Sequence, residues 1–154
     1  MNIEFAKVEH SKRLSEMVLA ASEELRGIDF NEEGWERFVN SNTTSEFEAK
    51  LSKSELIIFC CLESNCIIGF LSLKDNEKID QLFVAPEARN RGVASSLWQR
   101  AKKNAIENSS SGMFWVRSSS VAIPVYQKFG FMCEGNRQSF GGIKFQLMRL
   151  EVNS

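Results

Sequence analysis

Two apolar runs set apart by three polar residues set the tightest limit on the fold. Residues 55–62 read ELIIFCCL, residues 66–73 read CIIGFLSL, and Glu63-Ser64-Asn65 lies between them. β-Branched and aromatic runs around a polar turn are a hairpin pattern. The same three residues interrupt the apolar stretch 56–73, which is too short and too polar in its middle to span a bilayer.

Other elements follow on either side. Residues 2–8, NIEFAKV, read as a short strand. From His10 to Leu25 the apolar residues Leu14, Met17, Val18, Ala21 and Leu25 fall at helical spacing, with Gly27 near the end. Asn31 suits the cap of a second helix, with Glu32 and Glu33 in its first turn and Trp35, Phe38 and Val39 on its apolar side. Residues 41–45 are a polar connection to a third short helix from Phe47 to Leu51. Residues 78–84, KIDQLFV, form another strand, but Ile79, Leu82, Phe83 and Val84 break strict alternation. Either a β-bulge or burial on both faces accounts for that break.

After Gly92, the positions of Val93, Ala94, Leu97, Trp98, Ala101 and Ala105 predict an amphipathic helix, ended by serines 109–111 and Gly112. Residues 113–117 are a strand, and Ala122 to Phe129 a short helix closing at Gly130. Residues 131–138 and 143–150 predict a last hairpin around Gly141-Gly142. No repeat or linker divides the chain, so its 154 residues read as a single domain, 1–154.

A formal net charge of −1 provides no broad basic field, which argues against nucleic acid or an anionic membrane as partner. The four cysteines, Cys60, Cys61, Cys66 and Cys133, form no C-x-x-C pair, and the single histidine, His10, is far from them. No metal site is expected, and the cysteines read as buried reduced thiols. The opening residues, MNIEFAKVEHSK, have no apolar signal core, so a cytoplasmic location is expected.

Between strand 78–84 and the helix after Gly92 runs P-E-A-R-N-R-G-V-A, residues 86–94. A strand, a glycine turn and a helix start make an anion-binding arrangement, because the first helical N–H groups lack internal partners and the helix dipole adds positive charge. Gly92 admits close approach, and Arg89 and Arg91 add charge suited to phosphate. On spacing alone, an ordinary loop with solvated arginines fits equally well. The G-x-x-x-x-G-K-S/T and G-x-G-x-x-G phosphate motifs are both absent.

The wider segment IDQLFVAPEARNRGVASSLWQRA resembles the coenzyme A site of the GNAT acetyltransferases. The family's signature is an arginine or glutamine, two free positions, glycine, one free position, then glycine or alanine, opening a helix. It is matched by Arg89-Asn90-Arg91-Gly92-Val93-Ala94. A second stretch, A-I-P-V-Y-Q-K-F-G-F at residues 122–131, is similar to the family's late helix. The resemblance implies an α/β (α+β) fold, a mixed central sheet of about seven strands with splayed parallel strands 78–84 and 113–117 and flanking helices.

The resemblance also implies an N-acetyltransferase that uses acetyl-coenzyme A as acyl donor, moving the acetyl group to a primary amine by direct attack in a ternary complex. The turn from Arg89 to Ala94 would cradle pyrophosphate. Leu82, Phe83 and Val84 would run along the pantetheine arm, with Leu82 or Val84 donating an N–H to the thioester oxygen. Tyr126, the only tyrosine, stands where the family's general acid stands. Asp80 is the first choice of base, with Gln81 and Glu77 as neighbouring candidates. Ser119 stands where the family often has an asparagine that bonds the pantetheine region, and the shorter serine makes fewer bonds. Lys128, on the late helix, would either approach the nucleotide phosphates or stand solvated. The resemblance leaves a second reading open, a non-catalytic acyl-coenzyme A sensor or accessory protein. Homodimers are common in the family, although no stretch here marks an interface.

The family's acceptor pocket would draw on Ile28, Phe30, Trp35, Phe38, Phe140, Gly141 and Gly142, where the aromatics would either line a site for an apolar or aromatic amine or serve as ordinary core. Glu23, Glu24, Asp29, Glu32 and Glu33 make that region acidic, which favours a cationic acceptor if those charges face the pocket and means nothing if they are solvated.

Overall fold

The computed structural model describes residues 1–53, 56–108 and 110–152. Glu55 and Ser109, which the sequence assigns to a strand start and a helix end, lie outside the described residues. In chain order the elements are β1 (Asn2–Phe5), α1 (Ser11–Ser22), α2 (Glu32–Ser41), α3 (Thr44–Leu51), β2 (Leu56–Glu63), β3 (Cys66–Lys74), β4 (Lys78–Val84), α4 (Val93–Glu107), β5 (Met113–Ser118), α5 (Ile123–Lys128), β6 (Met132–Cys133), β7 (Gln138–Phe140) and β8 (Ile143–Glu151). The sheet runs β1-β2-β3-β4-β5-β8-β6, and β7 also pairs with β8.

The β2–β3 hairpin is the centre of one half of the sheet. Ser64 and Asn65 both take positive φ, 52° and 64°, the mirror-image turn that matches strand twist. Strand β3 is buried along its whole interior because both faces are covered. Successive strand residues point to opposite faces. On one face Phe70 meets Phe47 of α3 edge-on at 5.9 Å. On the other, Gly69 faces Val93 and Leu97 of α4, where an added β-carbon would lie only 2.9 Å from Val93 Cγ1. Glycine at this position lets α4 sit down on the sheet. Further along α4, the buried Trp98 packs edge-on against Phe114 at 5.1 Å and beside Phe131 at 5.5 Å. Each fully buried aromatic contributes about 1.5–3 kcal/mol relative to exposure, so the two covers are the main tie across the sheet.

Three sequence expectations need correction. Strand β1 stops at Phe5, and Val8–His10 turns as a 3-10 segment, because the Lys7 N–H donates to His10 Nδ1 at 2.9 Å. The strand expected over 131–138 is two short pieces, β6 and β7, which makes the sheet eight-stranded. Between them Gln146 of β8 donates its amide to the Gly135 carbonyl at 3.1 Å, and Gly135 turns at φ +72°. That side chain occupies the place of ladder bonds. Finally, only Cys60 and Cys61 are buried, whereas Cys66 and Cys133 are exposed. Cys66 directly follows a turn, and Cys133 ends a two-residue outermost strand.

Candidate active site

The two parallel strands in the middle of the sheet touch and then part. β4 and β5 pair only at Lys78↔Trp115 and Ile79↔Val116. Opposite β3, Leu73 pairs with Ile79 and Ser72 with Gln81, so Asp80 is an extra residue with no partner. That bulge is the break in alternation seen in the sequence. Beyond it, the Ala85 N–H donates to the Ile68 carbonyl at 2.8 Å. Antiparallel pairs alternate between bonded and non-bonded. The backbone groups of Phe83 and Gln81 therefore face β3, and those of Leu82 and Val84 face the gap that β5 leaves.

At the end of β4, Pro86–Ala88 makes a 3-10 turn, Asn90 takes φ +61°, and Gly92 caps α4 at φ +78°. Glycine suits this position for that φ, since an added β-carbon would meet nothing within 4 Å. No side chain caps the helix, and its first backbone bond is Ser96 N–H to Gly92 O at 3.0 Å. Among the described residues, no acceptor takes the N–H groups of Val93, Ala94 and Ser95. Arg89 and Asn90 are exposed. Arg91 is engaged by Glu63 in an ion pair, and that hydrogen bond holds the Glu63 carboxyl below its ordinary range. Nothing local in the sequence announces this pairing.

A cavity of about 300 Å³ opens where β4 and β5 part. Its walls come from the bulge, the end of β5, α5, the loop before α2, and the β7–β8 hairpin. Tyr126 lies in the wall, 5% exposed and edge-on to Phe131 at 5.7 Å. Burial pushes its phenol well above the ordinary tyrosine value. Ser119 also lines the cavity, whereas Lys128 is exposed on α5. Asp80 is 3.7 Å from Lys78, whose ammonium stands over Trp115 and is pulled below its ordinary value by burial. Glu77 is exposed in the turn before β4.

Of the acceptor-side candidates, Phe30 and Phe38 line the cavity, and Phe140 stands at its rim, 75% exposed. Ile28 is exposed, and Trp35 stacks with Phe38 while Arg26 covers its ring at 5.0 Å. The acidic run does not act as one field. Glu23 pairs with Arg26 and Glu33 with Arg37, while Glu24 and Glu32 are exposed. Asp29 alone is buried at the cavity, where its carboxylate accepts from the Ser120 N–H at 2.9 Å and the Ser120 hydroxyl at 3.0 Å.

Sequence reasoning missed one organising residue, Asn42. Its side-chain amide donates to the Phe38 carbonyl at 2.8 Å, which turns Oδ1 toward Gln81 Nε2 at 2.7 Å and Lys50 Nζ at 3.3 Å. Its carbonyl accepts from the Ser15 hydroxyl at 2.6 Å. One buried residue thus joins α1, α2, α3 and the residue after the bulge. Beside the first cavity lies a second, of about 330 Å³, bordered by Trp115, Gln138 and Arg149; Arg117 and Phe145 line both. Among the described residues, no cluster of three metal-binding side chains occurs, and no helix is long and apolar enough to cross a membrane.

Solved structures share this fold. An N-acetyltransferase from Rhodopseudomonas palustris aligns over 98% of this chain and 95% of its own, with 23% identity and a TM-score of 0.82. The PaiA N-acetyltransferase of Thermoplasma acidophilum, in complex with coenzyme A, aligns over 99% and 100%, with 20% identity and a TM-score of 0.81. An acetyltransferase from Salmonella typhimurium, with its cofactor acetyl-CoA, aligns over 100% and 95%, with 17% identity and a TM-score of 0.72. At these identities the similarity establishes the fold. No curated protein matches the chain. The acetyltransferase (GNAT) domain family matches residues 27–152, a span that takes in the parted strands, the glycine-capped helix and Tyr126, and the chain belongs to that family.

Proposed function

We propose that the protein transfers an acetyl group from acetyl-coenzyme A to a primary amine by direct attack in a ternary complex. The observation that carries this reading is two sets of unused backbone donors among the described residues, one on the gap side of β4 and one at the uncapped start of α4. The fit is chemical: an extended amide-bearing arm suits a free strand side, and a pyrophosphate suits exposed N–H groups at a helix start.

Acetyl-coenzyme A supplies an activated thioester when bound. Arg91, Gly92, Val93 and Ala94 hold its pyrophosphate through their N–H groups, with Arg89 and Asn90 at the exposed rim. Leu82 and Val84 offer backbone groups to the arm, Phe83 fixes the strand through its ring against Phe70 at 5.8 Å, and Ser119 stands at the far wall. The N–H of Leu82 or Val84 donates to the oxygen that gains negative charge, a contribution of about 3 kcal/mol for a preorganised donor. Asp80 is the base that takes the ammonium proton, with the Lys78 ammonium 3.7 Å from its carboxylate. Burial keeps the Tyr126 hydroxyl protonated, so it acts as donor to the departing thiolate.

The test is release of free thiol from acetyl-coenzyme A across a panel of primary amines, run beside Tyr126→Phe. The reading expects turnover by the wild type and a kcat lowered about 100-fold in the variant, with acetyl-coenzyme A affinity little changed. An unchanged kcat on the best acceptor removes Tyr126 from the acid role. Coenzyme binding with no turnover on any amine replaces catalysis with the sensor reading.

A further inference from the structure

The charges around the cavity are unequal in how they are used. Asp80 is paired with Lys78, and Asp29 takes both donors of Ser120. Asp29 is thus fully engaged, and Asp80, shared with Lys78, is left for the acceptor's amine alone, so no further carboxylate is offered to a second cationic group of the acceptor. Arg117, on β5, lies over the rings of Trp115 at 5.7 Å and Phe145 at 5.1 Å, at the junction of the two cavities. Lys144 lines the same cavity from β8. Among the described residues, no carboxylate lies within ion-pair distance of either.

A guanidinium lying over aromatic rings keeps its N–H edges free and is already oriented for two-point contact with a carboxylate. The cavity floor has the opposite character, with Leu25, Phe30, Phe38 and Ile79 presenting apolar surface. The cavity of about 300 Å³ is at the small end for a small-molecule site, and Leu82, Ser119 and Tyr126 on its wall are assigned above to the coenzyme, so the space left for an acceptor is small. We infer that the acceptor is a small amine carrying a carboxylate beside an apolar body, as an apolar amino acid does, and that Arg117 selects it. This rests on the acetyl-transfer reading above. The apolar body fills the floor, the carboxylate meets Arg117 with Lys144 nearby, and the amine is left facing the bulge at Asp80.

The experiment uses matched acceptors: phenylalanine, leucine and methionine, each beside its carboxamide and its decarboxylated amine. Thiol release is measured with wild type, Arg117→Ala and Arg117→Gln, and circular dichroism verifies folding. In the wild type, kcat/KM for at least one amino acid should exceed that of both its derivatives by about tenfold, about 1.4 kcal/mol. In both variants the gap should close, through a higher KM for the amino acid. Preference for the carboxamide or the amine, or equal damage to all three acceptors, overturns the proposal and leaves acetyl transfer standing. Turnover of nothing in the panel or among other amines, despite thermal stabilisation by acetyl-coenzyme A, overturns acetyl transfer and this inference with it.

Discussion

Gly34 and Gly142 meet so closely that neither position has room for a β-carbon. A β-carbon on Gly34 would fall on the Gly142 carbonyl, and one on Gly142 would lie 2.6 Å from the Gly34 nitrogen. Asn31 fastens the contact, donating its N–H to Gly142 O at 3.0 Å and accepting from the Gly34 N–H at 2.8 Å. The start of α2 is thereby docked on the β7–β8 turn. Gly34→Ala should destabilise the protein by about 1–3 kcal/mol through overpacking. It should raise the acceptor KM more than it weakens acetyl-coenzyme A binding, because Phe30, Phe140 and Ile143 beside this joint line the cavity proposed for the acceptor. Thermal unfolding and the two affinities check this; a loss confined to coenzyme binding would contradict it.

The turn before α4 permits a ranking of its residues. Gly92→Val forces a β-branched residue to φ +78°, a strain of about 1–2 kcal/mol, and moves the N–H groups it introduces. Coenzyme affinity should fall by about tenfold or more in that variant. Arg89→Ala removes one exposed charge and should cost only about two- to fivefold. Glu63→Gln should strengthen coenzyme binding, because it releases Arg91 toward the phosphates. Calorimetric titration of coenzyme A into the three variants reads the order directly, and Arg89→Ala as the most damaging change would reverse the assignment of donors.

Asn42→Ala removes the acceptor of Gln81 and of Lys50, and burial already pulls the Lys50 ammonium below its ordinary value. Leaving such groups unpaired should cost about 2–3 kcal/mol. Gln81 directly follows the bulge, so kcat should also fall while coenzyme affinity holds. A variant that loses stability at full kcat would show that the bulge keeps its shape without Asn42.

Thiol chemistry separates the cysteines. Cys66 and Cys133 should be alkylated rapidly in the folded protein, and Cys60 and Cys61 only after unfolding. Burial holds Cys60 as a neutral thiol with its pKa pushed up to about 12. An unfolded cysteine ionises near 8.5, so between about 8.5 and 12 the native state keeps a proton that the unfolded chain loses. Stability should therefore decline as pH rises through that window. In Cys60→Ala the denaturation midpoint should decline less steeply from pH 8 to 10; an identical slope would mean that the Cys60 thiol contributes nothing to it.

The sequence carried the local part of this structure. The β2–β3 hairpin, the Asn31 cap and the helix after Gly92 follow from periodicity and turn chemistry, and the break in alternation at Asp80 is the observed bulge. What escaped it joins residues distant along the chain: Arg91 to Glu63, Ser120 to Asp29, Gln81 to Asn42. Periodicity reports the face a residue occupies, but not which polar group waits across the fold. The same limit explains the acidic run: Glu23, Glu33 and Asp29 each engage a different partner, and Glu24 and Glu32 are exposed.

The parting of β4 from β5 gives the middle of the sheet the properties of a sheet edge. An unpaired strand side normally invites another chain and is guarded by position or charge. Here Leu82 and Val84 are half-buried on a strand flanked by β3 and β5, so the free side is guarded by its position within the sheet. The fold in effect leaves one strand out of its own sheet, and in the reading proposed above the amide-bearing arm of the coenzyme would complete the ladder.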